Sequence, residues 1–348
     1  MEQEVIIGEN SIERTIAILT ERNCQQVLFT AGQVLDPSLL QKLKKSFAGN
    51  MQVIYPSAGL PRMESILPYL NQLNKHPDAI VAIGGGRVLD IAKYLIYLLM
   101  QKRNELPFFI AIPSTAGSGS EATPFAAIYE GTLKKSFSAH QLLPRVVLLD
   151  HELLDTLPPG QRAVSGIDAV CHSIESIWNK YATGESVQYA AEALKILWKE
   201  LPLFITATDV ERRKKMQWAA YLSGKAIAIT KTTGCHALSY YLTAVHGVAH
   251  GQAVALFLPA FFLYNQKDAD EGKMNSIYEI MGVNNSEAAC LASRRFILDC
   301  GLANTFSELN IQVQTDELLH SVNTERFDNN PSPFEHSRLR QLILSNII

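Results

Sequence analysis

Short β-branched runs alternate with segments of helical period through the first half of the chain, and few folds accept that order. Candidate strands lie at Gln26–Thr30, Met51–Tyr55, Ala79–Ile83, Phe108–Ile112 and Val146–Leu149. Between them, stretches such as Asp36–Ser46 and Met63–Leu73 carry apolar residues at three- and four-residue spacing, the period of a helix buried on one side. Strand, helix and strand in repetition produce a parallel sheet, because parallel neighbours need a crossover long enough to hold a helix. An α/β unit with a parallel, Rossmann-like sheet is therefore expected.

After Asp150 the pattern changes. The breaker cluster LPPG occupies Leu157–Gly160, and nothing beyond it reads clearly as a strand. Val187–Trp198, Met216–Thr230 and Glu287–Cys300 carry helical periodicity, and NNPSPF at Asn329–Phe334 is the only late loop-like run. At 348 residues the chain is long enough for two domains. The expected division is residues 1–158 as the α/β domain and 159–348 as an all-helical domain, with a cleft between the halves as the natural ligand site. There is no internal repeat and no low-complexity tract.

Composition narrows the partners. With 31 Lys and Arg against 34 Asp and Glu the net charge is -3, which leaves no broad basic surface for nucleic acid. The 5 cysteines are odd in number and show no CxxC spacing, which fits a reducing compartment. The amino terminus, MEQEVIIGEN, is acidic where a secretory signal is basic. The longest apolar stretch, around Tyr94–Met100, falls short of the roughly 20 residues a membrane span needs. A soluble cytoplasmic protein is expected, with no membrane and no nucleic-acid partner.

Two loops at strand ends suggest a nucleotide. Gly84, Gly85 and Gly86 follow a buried strand and open a helix containing Asp90 and Lys93. Residues without Cβ let a phosphate approach backbone N–H groups, and a helix start offers partial positive charge. The spacing is not GxGxxG, because Leu89 stands where the third glycine would be, and a tight turn without ligand is the alternative reading. A second loop, AIPSTAGSGSEAT, supplies Ser114, Thr115, Ser118 and Ser120 at the end of the next strand, where open α/β sheets bind ligands. Two such loops together point to a dinucleotide-binding domain.

A metal-ligand set lies in the second half. Asp168 and His172 are four positions apart on an expected helix, so both leave the same face. GCHALSYYLTAVHGVAHGQ adds His236, His246 and His250. One carboxylate with several imidazoles suits Fe(II), Zn or a similar divalent ion and leaves room for a substrate oxygen. His76, His151, His320 and His336 read as solvated, and His140, near the nucleotide loops, is unassigned. The Glu and Lys clusters at Trp198–Glu200 and Glu211–Lys215 read as a solvated helix face.

The elements GGGRVLDIAK, IPSTAGSGSEAT, LLDHELLDTLPP, SGIDAVCHSIES and HGQAVALFLP, in this order over nearly the whole chain, resemble the iron-containing (group III) alcohol dehydrogenases. The resemblance implies a dinucleotide domain followed by a helical metal domain, and an NAD(P)-linked alcohol dehydrogenase or aldehyde reductase. It implies Asp168, His172, His236 and His250 as the metal ligands, His236 and His250 being fourteen positions apart and His246 matching no ligand position. Gly84, Gly85, Gly86, Asp90 and Lys93 would shape the pyrophosphate turn, and Ser114, Thr115, Ser118, Lys135 and Leu153 would lie along the rest of the cofactor. Iron, zinc, manganese and nickel all suit the donor set. Members commonly form homodimers.

Three departures refine this. Arg87 replaces the serine usual after the glycines and would add a cation near the phosphates. Tyr240 replaces a histidine that many members are thought to use in proton relay, which leaves Tyr240, His246 or water as donors. Where members preferring NAD carry an Asp after the first strand, QVLFTAG presents Ala31 and Gly32, which favours NADPH. Within the family, GKAIAITKTTGCHALSYYLT looks most like the phosphonoacetaldehyde reductases. Lys231, Thr232 and Thr233 would place a cation and two hydroxyls beside the metal to hold a small anionic aldehyde. Competing readings are a glycerol or short-chain alcohol dehydrogenase, and a sugar-phosphate cyclase resembling dehydroquinate synthase, which would need more basic residues. A regulator without chemistry would show gaps among the ligands, and none is missing.

Overall fold

The computed structural model describes residues 3–33, 35–73, 75–102, 106–207 and 209–347. They divide into two units, Met1–Thr115 with Ser120–Thr156, and Leu157–Ile348 with Ala116–Gly119.

The first unit runs β1 (Glu4–Ile7), α1 (Arg14–Glu21), β2 (Gln26–Ala31), α2 (Pro37–Ser46), β3 (Asn50–Ile54), α3 (Met63–Asn71), β4 (Ala79–Gly84), α4 (Gly86–Met100), β5 (Phe108–Pro113), β6 (Phe125–Glu130), β7 (Leu133–Ser138) and β8 (Val146–Leu149). Six strands form a parallel sheet in the order β1-β8-β5-β4-β2-β3. Alternate residues divide between its faces: Val27, Phe29, Val81, Ile83 and Ile110 join Leu19, Leu40 and Leu43. Leu28, Ile80, Ala82 and Phe109 join Ile66 and the buried side of α4. Cover on both faces explains why β4 is apolar throughout.

Two elements escape the sequence reading. Strand β1 is only four residues long, EVII, and begins with a charge. The antiparallel hairpin β6–β7 hides because β7, LKKSFS, is mostly exposed, so its lysines mimic a loop. His151 is also not solvated: it is 2% exposed, in the turn after β8 that the Asp150 carboxylate caps through Glu152 N–H at 3.2 Å.

The second unit is helical among its described residues: α5 (Pro159–Trp178), α6 (Gly184–Thr206), α7 (Val210–Thr230), α8 (Gly234–Val245), α9 (His250–Ala255), α10 (Leu258–Asn265), α11 (Glu271–Met281), α12 (Ser286–Asp299), α13 (Thr315–His320), α14 (Thr324–Phe327) and α15 (His336–Asn346). Helix α5 is buried almost throughout, with the neighbouring α6, α7 and α9 packed around it. Glu200 departs from the solvated face expected of it. It is 6% exposed and ties α6 to α7 by accepting from Arg212 Nε at 3.2 Å and Lys215 Nζ at 2.9 Å. No helix among the described residues is long and apolar enough to cross a membrane.

Candidate functional site

Helical spacing puts Asp168 and His172 one turn apart on α5, and the first turns of α8 and α9 supply His236 and His250. Close helix contact brings these pieces together. A Cβ on Gly251, the residue after His250, would lie 1.9 Å from the Val164 carbonyl of α5, so only glycine lets α9 approach this far.

Asp168 Oδ1 stands 3.6 Å from His172 Nε2, 3.4 Å from His236 Nε2 and 3.8 Å from His250 Nε2. Four ligands about 2.0–2.2 Å from one tetrahedral ion are separated from each other by about 3.3–3.6 Å. Asp168 Oδ1 and His236 Nε2 are buried and make no hydrogen bond. Unpaired polar atoms in an interior are costly, and a divalent cation satisfies both at once. The donors therefore fit a metal ion. His250 lies on the open side of the set, its side chain 33% exposed.

Burial alone would raise the Asp168 carboxyl, but the imidazoles of His172, His250 and His236 outweigh it and hold the group well below the usual carboxylate range. Burial likewise opposes charge on His236, yet the Glu175 carboxylate lifts this imidazole to about 9. The Glu175–His236 contact is a hydrogen bond between Oε2 and Nδ1. The other oxygen, Oε1, accepts from Thr233 N at 2.9 Å and Thr233 Oγ1 at 2.6 Å, and Thr233 Oγ1 accepts from Trp178 Nε1 at 3.0 Å. The sequence reading did not single out Glu175, although Asp168, His172 and Glu175 follow the i, i+4, i+7 period of one helix face. It also offered the Thr233 hydroxyl to the substrate, whereas that hydroxyl is engaged in the interior.

Lys231 caps α7 at φ 60, ψ -175, a conformation almost confined to glycine. Its backbone is held on both sides: N–H donates to Ile227 O at 2.8 Å, and its carbonyl accepts from Thr230 Oγ1 at 2.8 Å and Asn179 Nδ2 at 3.4 Å. Its side chain is exposed. Tyr240 stacks on His250 with ring centroids 6.3 Å apart, which brings it beside the metal set. His246 ends α8 with its ring 5.5 Å from Tyr241, so the two candidate proton donors have different neighbours.

In the first unit, Gly84 ends β4 and Gly85 caps α4. A Cβ on Gly84 would meet Val88 at 2.7 Å and one on Gly85 would meet Thr115 at 3.1 Å, while Ser114 N–H donates to Gly84 O at 3.0 Å. The glycine turn, Ser114 and Thr115 thus adjoin at the carboxyl ends of neighbouring strands. Asp90 and Lys93 turn inward instead. Lys93 Nζ is fully buried among the backbone and hydroxyl oxygens of Ser120 and Thr123 and the Phe125 carbonyl. Burial pulls this ammonium down to about 8. Asp90 accepts from Ser120 Oγ at 2.6 Å and Ala127 N at 3.1 Å, so both residues pin segment 120–127 to α4. Arg87 donates to the Ser57 carbonyl, Lys135 pairs with Glu130 in the hairpin, and Leu153 packs against the core cluster that contains Val27, Phe29 and Leu148. Ser118 belongs to the second unit.

Residues 2–151 match the family described as iron-containing alcohol dehydrogenase, and residues 162–347 match the carboxy-terminal part of the Fe-containing alcohol dehydrogenase family. The phosphonoacetaldehyde reductase of Streptomyces viridochromogenes is 29% identical over 299 residues, 76% of this chain and 75% of that protein. An alcohol dehydrogenase of Thermococcus barophilus is 26% identical over 322 residues, 85% of this chain and 84% of that one. Among solved structures, sulfoacetaldehyde reductase from Bifidobacterium kashiwanohense in complex with NAD+ superposes with a TM-score of 0.90 at 24% identity, over 99% of this chain and 96% of that one. The two matches together span most of the chain and describe an oxidoreductase family. The chain belongs to the iron-containing alcohol dehydrogenase family.

Proposed function

We propose that the protein is a metal-dependent aldehyde reductase that uses NADPH and takes a small anionic aldehyde, phosphonoacetaldehyde or a close analogue. The observation that carries the chemistry is the single buried carboxylate oxygen 3.4–3.8 Å from three imidazole nitrogens. An Fe(II) ion held there, or zinc, manganese or nickel in its place, would supply Lewis acidity toward the aldehyde oxygen. Asp168, His172, His236 and His250 hold it and do not themselves react. Tyr240, whose ring stacks on His250, would hand a proton from its hydroxyl to the product oxygen. Gly84, Gly85, Gly86, Ser114 and Thr115 receive the dinucleotide phosphates, with Asp90 and Lys93 bracing the helix behind them.

Substrate class rests on Lys231, which is exposed and occupies a strained backbone position five residues before His236. It is also the activity named for the Streptomyces relative. Cofactor choice rests on the end of β2, where Ala31 is followed by Gly32 and no carboxylate is offered to repel a 2′-phosphate. A panel of aldehydes with and without an anionic tail, assayed with NADPH and NADH in parallel, tests both. Preference for phosphonoacetaldehyde with NADPH is expected. Equal rates on propanal and phosphonoacetaldehyde would remove the substrate assignment. No cofactor oxidation with any aldehyde would remove the reaction.

A further inference from the structure

Glu175 is fully buried and, among the described residues, has no lysine or arginine as a hydrogen-bond partner. A carboxylate in an interior costs several kcal/mol unless positive charge compensates it (about that size for an unpaired ion). One oxygen accepts from the Thr233 backbone and hydroxyl and from His236 N–H, and among the described residues the other meets only His236 Nδ1. The compensating charge therefore has to arrive through that imidazole.

We infer that Glu175 is a positioning residue that acts on the metal through His236. This inference rests on the metal assignment above. Accepting the hydrogen bond from Nδ1 keeps a proton on that nitrogen, so that Nε2, 3.4 Å from Asp168 Oδ1, is the nitrogen left to donate to an ion held between them. The carboxylate also makes the imidazole a stronger donor. Counted with Asp168, Glu175 brings two negative charges to the site, which balance a divalent cation among neutral imidazoles. The same carboxylate holds Thr233 N–H at 2.9 Å, and Trp178 holds the Thr233 hydroxyl at 3.0 Å, so the turn into α8 and the ligand that opens it are fixed by one group.

The test is metal affinity, measured as Zn2+ competition with a chromophoric chelator on metal-free protein. Wild type should bind one ion per chain. Glu175→Gln keeps the shape of the acceptor and removes its charge, and should weaken Zn2+ binding roughly 10- to 100-fold with the metal-free melting curve little changed. Because the effect travels through His236, Glu175→Gln should add almost nothing in a His236→Gln background. If Glu175→Gln does not fold, as judged by circular dichroism, Glu175→Asp retains the charge but shortens the reach to Nδ1 and should weaken binding in the same direction. Unchanged Zn2+ affinity in a folded Glu175 variant, or fully additive losses in the double variant, would overturn the inference. A wild-type chain that binds no ion would instead defeat the metal assignment.

Discussion

Asp168 Oδ1 and His236 Nε2 come from helices far apart in sequence, lie 3.4 Å from each other, and neither makes a hydrogen bond. Their proximity makes sense when an ion sits between them. His236→Ala should therefore lose the metal and all measurable turnover while the α/β unit stays folded and still binds NADPH. Elemental analysis and cofactor fluorescence check the two halves of that statement. In wild type, an ion at a hundredfold excess over its Kd should add about 2.7 kcal/mol of stability, seen as a fall in melting temperature on chelation.

Gly251 sets the distance between α9 and α5. A Cβ there would meet the Val164 carbonyl at 1.9 Å, so Gly251→Ala must move α9 outward and carry His250 with it. The expected cost is about 1–3 kcal/mol in denaturant titrations, together with weaker metal binding. Unaltered stability and affinity would show that α9 is free to shift.

Lys231 separates charge from backbone strain. Lys231→Ala and Lys231→Gly should both raise KM for an anionic aldehyde roughly tenfold, the equivalent of one charge-assisted contact, with little change on propanal. Only Lys231→Gly relaxes the φ 60, ψ -175 conformation, so it should be more stable than Lys231→Ala by about 1 kcal/mol. Calorimetry on the pair decides this.

Lys93 and Asp90 are predicted to matter for folding before they matter for binding. Lys93→Met removes an ammonium whose oxygen partners are all inside the unit, and leaves Asp90 buried without that charge nearby. A loss of about 3–5 kcal/mol is expected from breaking such a set. A variant of full stability with weakened NADPH binding would return Lys93 to the cofactor.

Glu121 gives the pH dependence. Burial pushes its carboxyl up to about 7, partly offset by a backbone hydrogen bond and by Lys93. Because its folded value lies above its ordinary 4.5, the folded state binds the extra proton. The resulting stability is full below pH 4.5 and is lost as the pH rises through 7. Relative to Glu121→Gln, wild type should lose melting temperature across that window and change little above it. Parallel curves for the two proteins would contradict the assignment.

The parts legible in the sequence are those set by local period. Strand β8 stands at the expected Val146–Leu149, and β2 and β4 each gain one residue at the carboxyl end. Asp168 and His172 could be paired in advance because a helix places residues four apart on one face whatever surrounds it. Glu175 obeyed the same period and was passed over, since nothing local says that a glutamate on a buried helix will find a histidine sixty-one residues later. The hairpin β6–β7 was missed for the opposite reason: its outer strand looks like a loop because one face is solvent.

What the sequence alone determined is the alternation of the central strands with helices, the glycine turn at 84–86 and the pairing of Asp168 with His172 on one helix face, since each follows from backbone geometry within a few residues. Tertiary packing decided which donors meet. It turned Lys93 and Asp90 toward 120–127, gave the Thr233 hydroxyl to Glu175, and brought α9 to contact with α5 through Gly251. Those outcomes depend on helices packing across long sequence separations, where no repeat of 2 or 3.6 residues carries information and only the fit of one surface to another does.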